Sequence, residues 1–259
     1  MNIFQATSLL IVPLFFLMII LMEAGRRLGI RQRKLDMEGA KSGIGTVDGA
    51  VFGLLGLLLS FTFGGAVARY DARRELIVQE ANAIGTAYLR IGLLPQSAQP
   101  SLRDDFRNYL DARIGFYRNL TEDPPASTRE LDPYSTLQDK IWSGALTACR
   151  EICSPATNSL VFSSLNEMFD ITTTRAAASQ RHPPSVVFAG LGVLMLASAL
   201  LAGYEMAEGK RPSRFHMTIF PLILVTAVFI IIDIEFPRRG FVRIDRTDHF
   251  LTDLRATMK

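Results

Sequence analysis

The segment from Gly49 to Leu89, GAVFGLLGLLLSFTFGGAVARYDARRELIVQEANAIGTAYL, constrains the fold more than any other part of the chain. Its first half, Gly49 to Ala68, is apolar and carries no charge. About 20 such residues, each rising 1.5 Å along a helix, cross the hydrocarbon core of a bilayer. The second half keeps helical spacing but turns charged at Arg69, Asp71, Arg73, Arg74 and Glu75, and no proline interrupts it before Pro95. The pattern predicts one long helix that spans a membrane and then continues into water.

Two stripes run along the apolar half. Gly49, Gly53, Gly56, Ser60 and Gly64 recur at spacings of four, three, four and four, a row of small residues of the kind that lets helix backbones approach closely in lipid. Leu54, Leu57 and Phe61 form a second row that can face lipid, a neighbour or a pore. The plainer alternative is that the glycines pack within the chain and the Leu/Phe row meets lipid.

The rest of the chain supplies further apolar runs. Ile3 to Met22 lacks the basic start and small-residue cleavage site of a secretory signal and is expected to be a retained span, with Pro13 inside it. Ser185–Tyr204 and Phe215–Ile232 are the third and fourth spans, the last ending at Asp233 and Glu235. The expected boundaries are 1–68 for a first transmembrane pair, 69–184 for a helical soluble domain, 185–235 for a second pair and 236–259 for a tail. Within the soluble part, Ser101 with Asp104 and Asp105 suggests a capping box opening a helix to about Leu120. Thr121–Thr128 reads as a loop, and Leu137–Ile152 as a helix. Ser154-Pro155 reads as a cap and first helical residue opening a helix to Arg181. In the tail, Phe250, Leu251 and Leu254 are expected on one side of an amphipathic segment.

Composition narrows the function. The 259 residues are 49% apolar and 20% charged, and the mean hydropathy is +0.22. A net charge of +3 with dispersed basic residues is no footprint for nucleic acid. Cys149 and Cys153, four apart on an expected helix, read as small packing residues rather than an easy disulfide, with a redox-sensing dithiol as the alternative. With His182, His216 and His249 far from one another in sequence, no metal site is expected. The Asn119 sequon is discounted, such matches being frequent by chance. No nucleophile elbow, phosphate loop or metal-ligand cluster is present, so neither enzyme activity nor a cofactor is expected.

The extension of the long helix resembles the second transmembrane helix of the bestrophins. In that family an apolar run with a late Phe leads to an Arg, an aromatic residue and an acidic-Ala-Arg triplet. Here Phe61, Arg69, Tyr70 and Asp71-Ala72-Arg73 match, with the triplet one residue early. The segment Asp233 to Gly240, DIEFPRRG, is similar to the acidic-x-acidic, Pro-then-Gly run after the last bestrophin span. The stretch Arg69 to Arg90 is similar almost throughout to the bacterial bestrophin-like domain family, and that resemblance covers nearly the full chain.

The resemblance implies an all-α integral membrane protein in which four transmembrane helices, two and two, flank a helical soluble domain. It implies a homo-oligomeric, pentameric ion channel in a bacterial inner membrane, with termini and soluble domain cytoplasmic. The first span, with basic residues only after it, points to the opposite orientation. Partners implied are further copies of the chain, the bilayer and small inorganic ions. Phe61 and Leu57 fall at neck positions, followed by Gly53 or, with a one-residue shift, Leu54. Thr62 stands where the family commonly has Arg, and the basic residues Arg238, Arg239 and Arg243 stand where eukaryotic members hold calcium. Arg69, Arg73 and Arg74 are candidates for a basic vestibule favouring anions, or, with Asp233 and Glu235, for structural ion pairs. A non-conducting membrane scaffold or sensor whose helical domain binds a protein remains the alternative.

Overall fold

The computed structural model describes residues 3–35, 44–119, 134–150, 153–208, 214–238 and 240–258. Among these residues are eight α-helices, in order α1 Ile3–Leu35, α2 Ile44–Arg90, α3 Gln99–Asn119, α4 Ser135–Cys149, α5 Pro155–Ser179, α6 Ser185–Glu205, α7 Arg214–Glu235 and α8 His249–Thr257. Among the described residues there is no strand. The chain divides into two compact units, one of Met1–Ala68 with His182–Phe241 and the other of Arg69–Arg181 with Val242–Lys259. Three helical stretches, Gly45–Leu93, Ser185–Glu205 and Arg214–Glu235, are long and apolar enough to cross a membrane.

In the first unit, Met18 and Met22 of α1, Leu55 of α2, Leu191, Met195 and Ala199 of α6, and Leu224, Val225 and Val228 of α7 form the core. Helix α1 runs on to Leu35, past the expected end at Met22. Its polar extension holds local pairs, Glu23 with Arg26 at 2.8 Å and with Arg27 at 2.7 Å, which suit an exposed helical turn. Intrachain close approach is made here. A Cβ added to Gly25 would stand 2.0 Å from the Leu200 carbonyl oxygen, and one added to Gly203 would stand 2.0 Å from that of Met22. Small residues therefore bring the backbones of α1 and α6 together.

The second unit is built around a helical core of Ile84, Phe106, Tyr109, Leu110, Ile141, Leu165, Met168 and Leu251. Helix α5 opens as its sequence predicts: Ser154 Oγ accepts the Thr157 N–H at 3.1 Å, with Pro155 in the first turn. Other local expectations change. Helix α3 starts at Gln99, so Ser101 lies inside its first turn rather than capping it. The Gln99 amide donates instead to the carbonyls of Gly92 and Leu94. Helix α4 ends at Cys149, so Cys153 is off the helix and the two cysteines close a disulfide with Cα atoms 4.8 Å apart. Helix geometry no longer separates them, and the reading as two packing residues is corrected. In α8, Leu251 is buried while Phe250 is exposed against His249, because adjacent helical residues point about 100° apart. The expected loop at 121–128 and the threonine of the Asn119 sequon lie outside the described residues.

One carboxylate organises this core. Glu80 of α2 is fully buried, as is Arg113 of α3, and Arg175 of α5 is nearly so. Arg113 Nε donates to Glu80 Oε1 at 2.7 Å, while Arg175 Nη1 pairs with Oε2. The Arg175 guanidinium lies 3.9 Å from the Tyr117 ring centroid, and that of Arg113 4.3 Å from the Tyr134 centroid. Burial pushes the Glu80 carboxyl upward, but the two guanidiniums outweigh it and hold it below its ordinary value of 4.5. A depressed carboxylate contributes stability that is present above that value and lost as the pH falls through the folded one. Glu80→Ala, which strands two buried cations, should cost on the order of 3–5 kcal/mol. A lowered unfolding midpoint at pH 7 checks this, with Glu80→Gln blunting the acid-induced loss below pH 4.5. An unchanged midpoint would remove the triad from the core's energetics.

Candidate functional site

The candidate site is the outward face of α2. Along its apolar half, Asp48, Leu55, Thr62 and Ala66 are buried, spaced seven, seven and four apart, so one face of the helix is committed to its own unit. Phe52 adds an edge-to-face contact with Phe220 of α7, centroids 5.9 Å apart. Thr62 turns inward and donates to the Leu58 carbonyl at 2.6 Å, so it does not share the face of the other neck candidates. A back-bonded hydroxyl leaves no unmet donor in an apolar setting.

The other face has no cover within the described chain. Leu54, Leu57 and Phe61 are 46%, 51% and 68% exposed. A Cβ placed on Gly49, Gly53, Gly56 or Gly64 would meet nothing within 4 Å. Among the described residues these four glycines therefore make no close approach to another helix, and that part is taken by Gly25 and Gly203 between α1 and α6. Side by side, the two rows leave a broad unpartnered surface, apolar, with a bulky edge and a flat edge.

Past Ala68 the helix carries the charged candidates. Arg73 is buried and donates to the carbonyls of Ala178 at 3.2 Å and Arg181 at 2.9 Å, closing the C-terminal end of α5. Arg74 is half exposed, 3.6 Å from Asp71 and 5.6 Å from the Tyr70 ring centroid. Arg69 is partly buried. At the end of α7, Glu235 is fully buried with its Oε1 2.9 Å from His182 Nδ1, and the His182 ring stacks on Phe236. Asp233 Oδ1 accepts the Phe241 N–H at 2.8 Å and so ties down the turn that follows α7. Sequence reasoning missed Glu80, Arg113 and Arg175. The available signal was a charge on an apolar row: Glu80 lies between Ile77 and Ile84, and Arg113 between Tyr109 and Tyr117. Among the described residues no group of His, Cys, Asp and Glu is placed to hold a metal ion.

Helical architecture with three helices long and apolar enough to span a bilayer among the described residues points to a membrane protein. The chain belongs to the Bestrophin-like domain family, which matches residues 14–248. No curated protein and no solved structure shows a significant match.

The turn after α7 can be tested directly. A Cβ on Gly240 would stand 1.6 Å from Asp233 Oδ1, so Gly240→Ala must displace that carboxylate and break its bond to Phe241. Leaving a mostly buried acceptor unmet costs about 1–3 kcal/mol. The thermal midpoint of the detergent-solubilised protein should drop, whereas Gly190→Ala, where an added Cβ meets nothing within 4 Å, should leave it nearly unchanged. Equal midpoints for the two variants would show that the turn is not held by Asp233.

Proposed function

We propose that the chain is the subunit of an ion channel, a homo-oligomer whose pore is lined by α2 of each copy. The observation that carries this reading is the bare face of α2, with Phe61 more than two-thirds exposed one turn beyond Leu57. In lipid, helices associate by close packing of small residues rather than by a hydrophobic drive. The glycine row supplies such a seam to a neighbouring copy, and the Leu57/Phe61 row then narrows the lumen beside it. Apolar constrictions of this kind gate by dewetting. Membership of the Bestrophin-like domain family supports the same reading, and the resemblance to bestrophins implies five copies.

The membrane arrangement belongs to this proposal. Helix α1 acts as the fourth span, so that both termini and the second unit share one side, the cytoplasmic side of a bacterial inner membrane. The anion preference first expected from Arg69, Arg73 and Arg74 loses support, because Arg73 is committed to the end of α5. For a ligand-binding sensor, the feature in favour is an open cleft of about 600 Å³ between α3 and α4, bordered by Ser101, Thr147 and the Lys140–Asp105 pair. In a scaffold or sensor the Leu/Phe row of α2 would meet lipid, the plainer use of an exposed apolar row.

Planar-bilayer recording of the purified, size-defined oligomer tests the channel. Phe61→Ala should raise single-channel current at least severalfold by widening the neck, and Gly56→Leu should break the assembly into smaller species without unfolding the subunit. Unchanged current in the first variant would remove Phe61 from the neck. An oligomer unaffected by the second would move the seam elsewhere.

A further inference from the structure

We infer that Cys149 and Cys153 form a reversible thiol–disulfide switch that sets the corner where α4 hands over to α5, independently of any pore. The bridge joins residues four apart, with Cα atoms 4.8 Å from each other. Closing so short a ring removes little freedom from the unfolded chain, so the bridge is poorly placed to serve as a staple for the whole unit. The core to which Cys149 belongs has other supports, among them Ile141, Ala145, Leu165 and Met168 and the pairing of Glu80 with Arg113 and Arg175. None of these needs the bridge to be closed. The two sulfurs also differ in access, since Cys149 is 4% exposed in the core while Cys153 is only half-buried. A thiolate arriving from water therefore meets Cys153 first.

Opening is a two-electron exchange with a dithiol reductant. Its thiolate attacks Cys153 Sγ, the S–S bond breaks as a mixed disulfide forms, and Cys149 leaves as a thiolate that takes up a proton. The reductant's second thiol then attacks its own sulfur in the mixed disulfide and releases Cys153, which is protonated in turn. The protein ends with two thiols and the reductant with a disulfide. Both cysteines stand at helix ends. Cys149 is the last residue of α4, and Cys153 directly precedes Ser154, whose Oγ accepts the Thr157 N–H and opens α5. Residues four apart in a regular helix are separated by about 6 Å along the axis. The bridge holds this pair closer, with the Cys153 N–H donating to the Cys149 carbonyl at 3.5 Å, and so draws the cap of α5 against the end of α4. Trp142, the single tryptophan, lies about two turns before Cys149 on α4. Its ring is 4.9 Å from that of Phe162 and 6.3 Å from that of Phe169, both on α5, so it reads the contact that the bridge anchors. Helix α5 in turn carries Arg175 to Glu80 and receives Arg73 at its C-terminal end, which extends the effect to α2.

The test equilibrates the purified full-length protein in detergent with graded ratios of reduced to oxidised dithiothreitol and counts free thiols by mass after maleimide trapping. Two thiols are expected to appear together while far-UV circular dichroism shows the helices intact. Over the same ratios Trp142 emission should shift, and hydrogen exchange in the first turn of α5, at Thr157, should quicken severalfold. Exchange around Arg175 should stay unchanged, and every signal should return on re-oxidation. The double variant Cys149→Ser with Cys153→Ser should hold the reduced-form emission and exchange at every ratio. A bridge that opens only as the helices unfold is a structural staple and overturns the switch. Thiols that appear while Trp142 emission and Thr157 exchange stay fixed overturn its hold on the α4–α5 corner.

Discussion

A helix of 47 residues persists only where each stretch of it has something to bury or something to satisfy its backbone, and α2 meets that condition in two different ways. Its buried positions are Asp48, Leu55, Thr62, Ala66, Arg73, Ile77, Glu80, Ala81, Ala83, Ile84, Ala87 and Tyr88, a narrow row as far as Ile77 that widens from Glu80 onward. In the apolar half, water is not available to drive burial, so contact depends on fit: Leu55 among methionines, Phe52 edge-on to Phe220. In the charged half the hydrophobic effect operates normally, and Ile84, Ala87 and Tyr88 enter a core with Phe106, Leu165 and Leu251.

Glu80 gives the charged half something that apolar packing alone does not. A carboxylate has two oxygens, and here each is claimed by a different helix, Oε1 by α3 through Arg113 and Oε2 by α5 through Arg175. Sliding either helix by a turn would leave a buried guanidinium without its anion, at a cost far above that of a shifted leucine contact. Aromatic faces of Tyr117 and Tyr134 take up the remaining guanidinium surface, so the charges are met on several sides at once. Such a triad adds little net stability over a well-packed apolar substitute. Its effect is to penalise alternative registers among α2, α3 and α5.

Features set by local rules were legible in the sequence. The extent of α2, the Ser154 cap of α5 and the spans of α6 and α7 follow from hydropathy, spacing and capping chemistry that act within a few residues. What was not legible depended on neighbours. The glycine row of α2 looked fit for intrachain packing, and only the placement of α1 against α6 shows that Gly25 and Gly203 take that part while Gly53 and Gly56 are bare. Ser101 failed as a cap because α3 begins two residues earlier, at Gln99, so that Ser101 already lies in its first turn. Cys149 and Cys153 meet because α4 stops between them, and helix ends are the least certain part of any reading from periodicity. Charges on an apolar row at Glu80 and Arg113 were visible, but their mutual pairing joins residues 33 positions apart.

Membership of the Bestrophin-like domain family says which family the chain belongs to without assigning it an activity. What the fold adds is which residues of α2 are held and which are shown, in each unit taken by itself. In the first, Leu55, Thr62 and Ala66 are buried while Leu54, Leu57 and Phe61 stay exposed. In the second, Arg73 closes the end of α5 and Glu80 pairs with Arg113 and Arg175, while Asp71, Arg74 and Glu75 are exposed. Counting charges over residues 69–75 suggests a basic surface, whereas sorting them by burial takes Arg73 out of the count and sets one exposed arginine beside two exposed carboxylates. The charge that a helix shows is therefore decided by the residues that hold it from behind as much as by those that face outward.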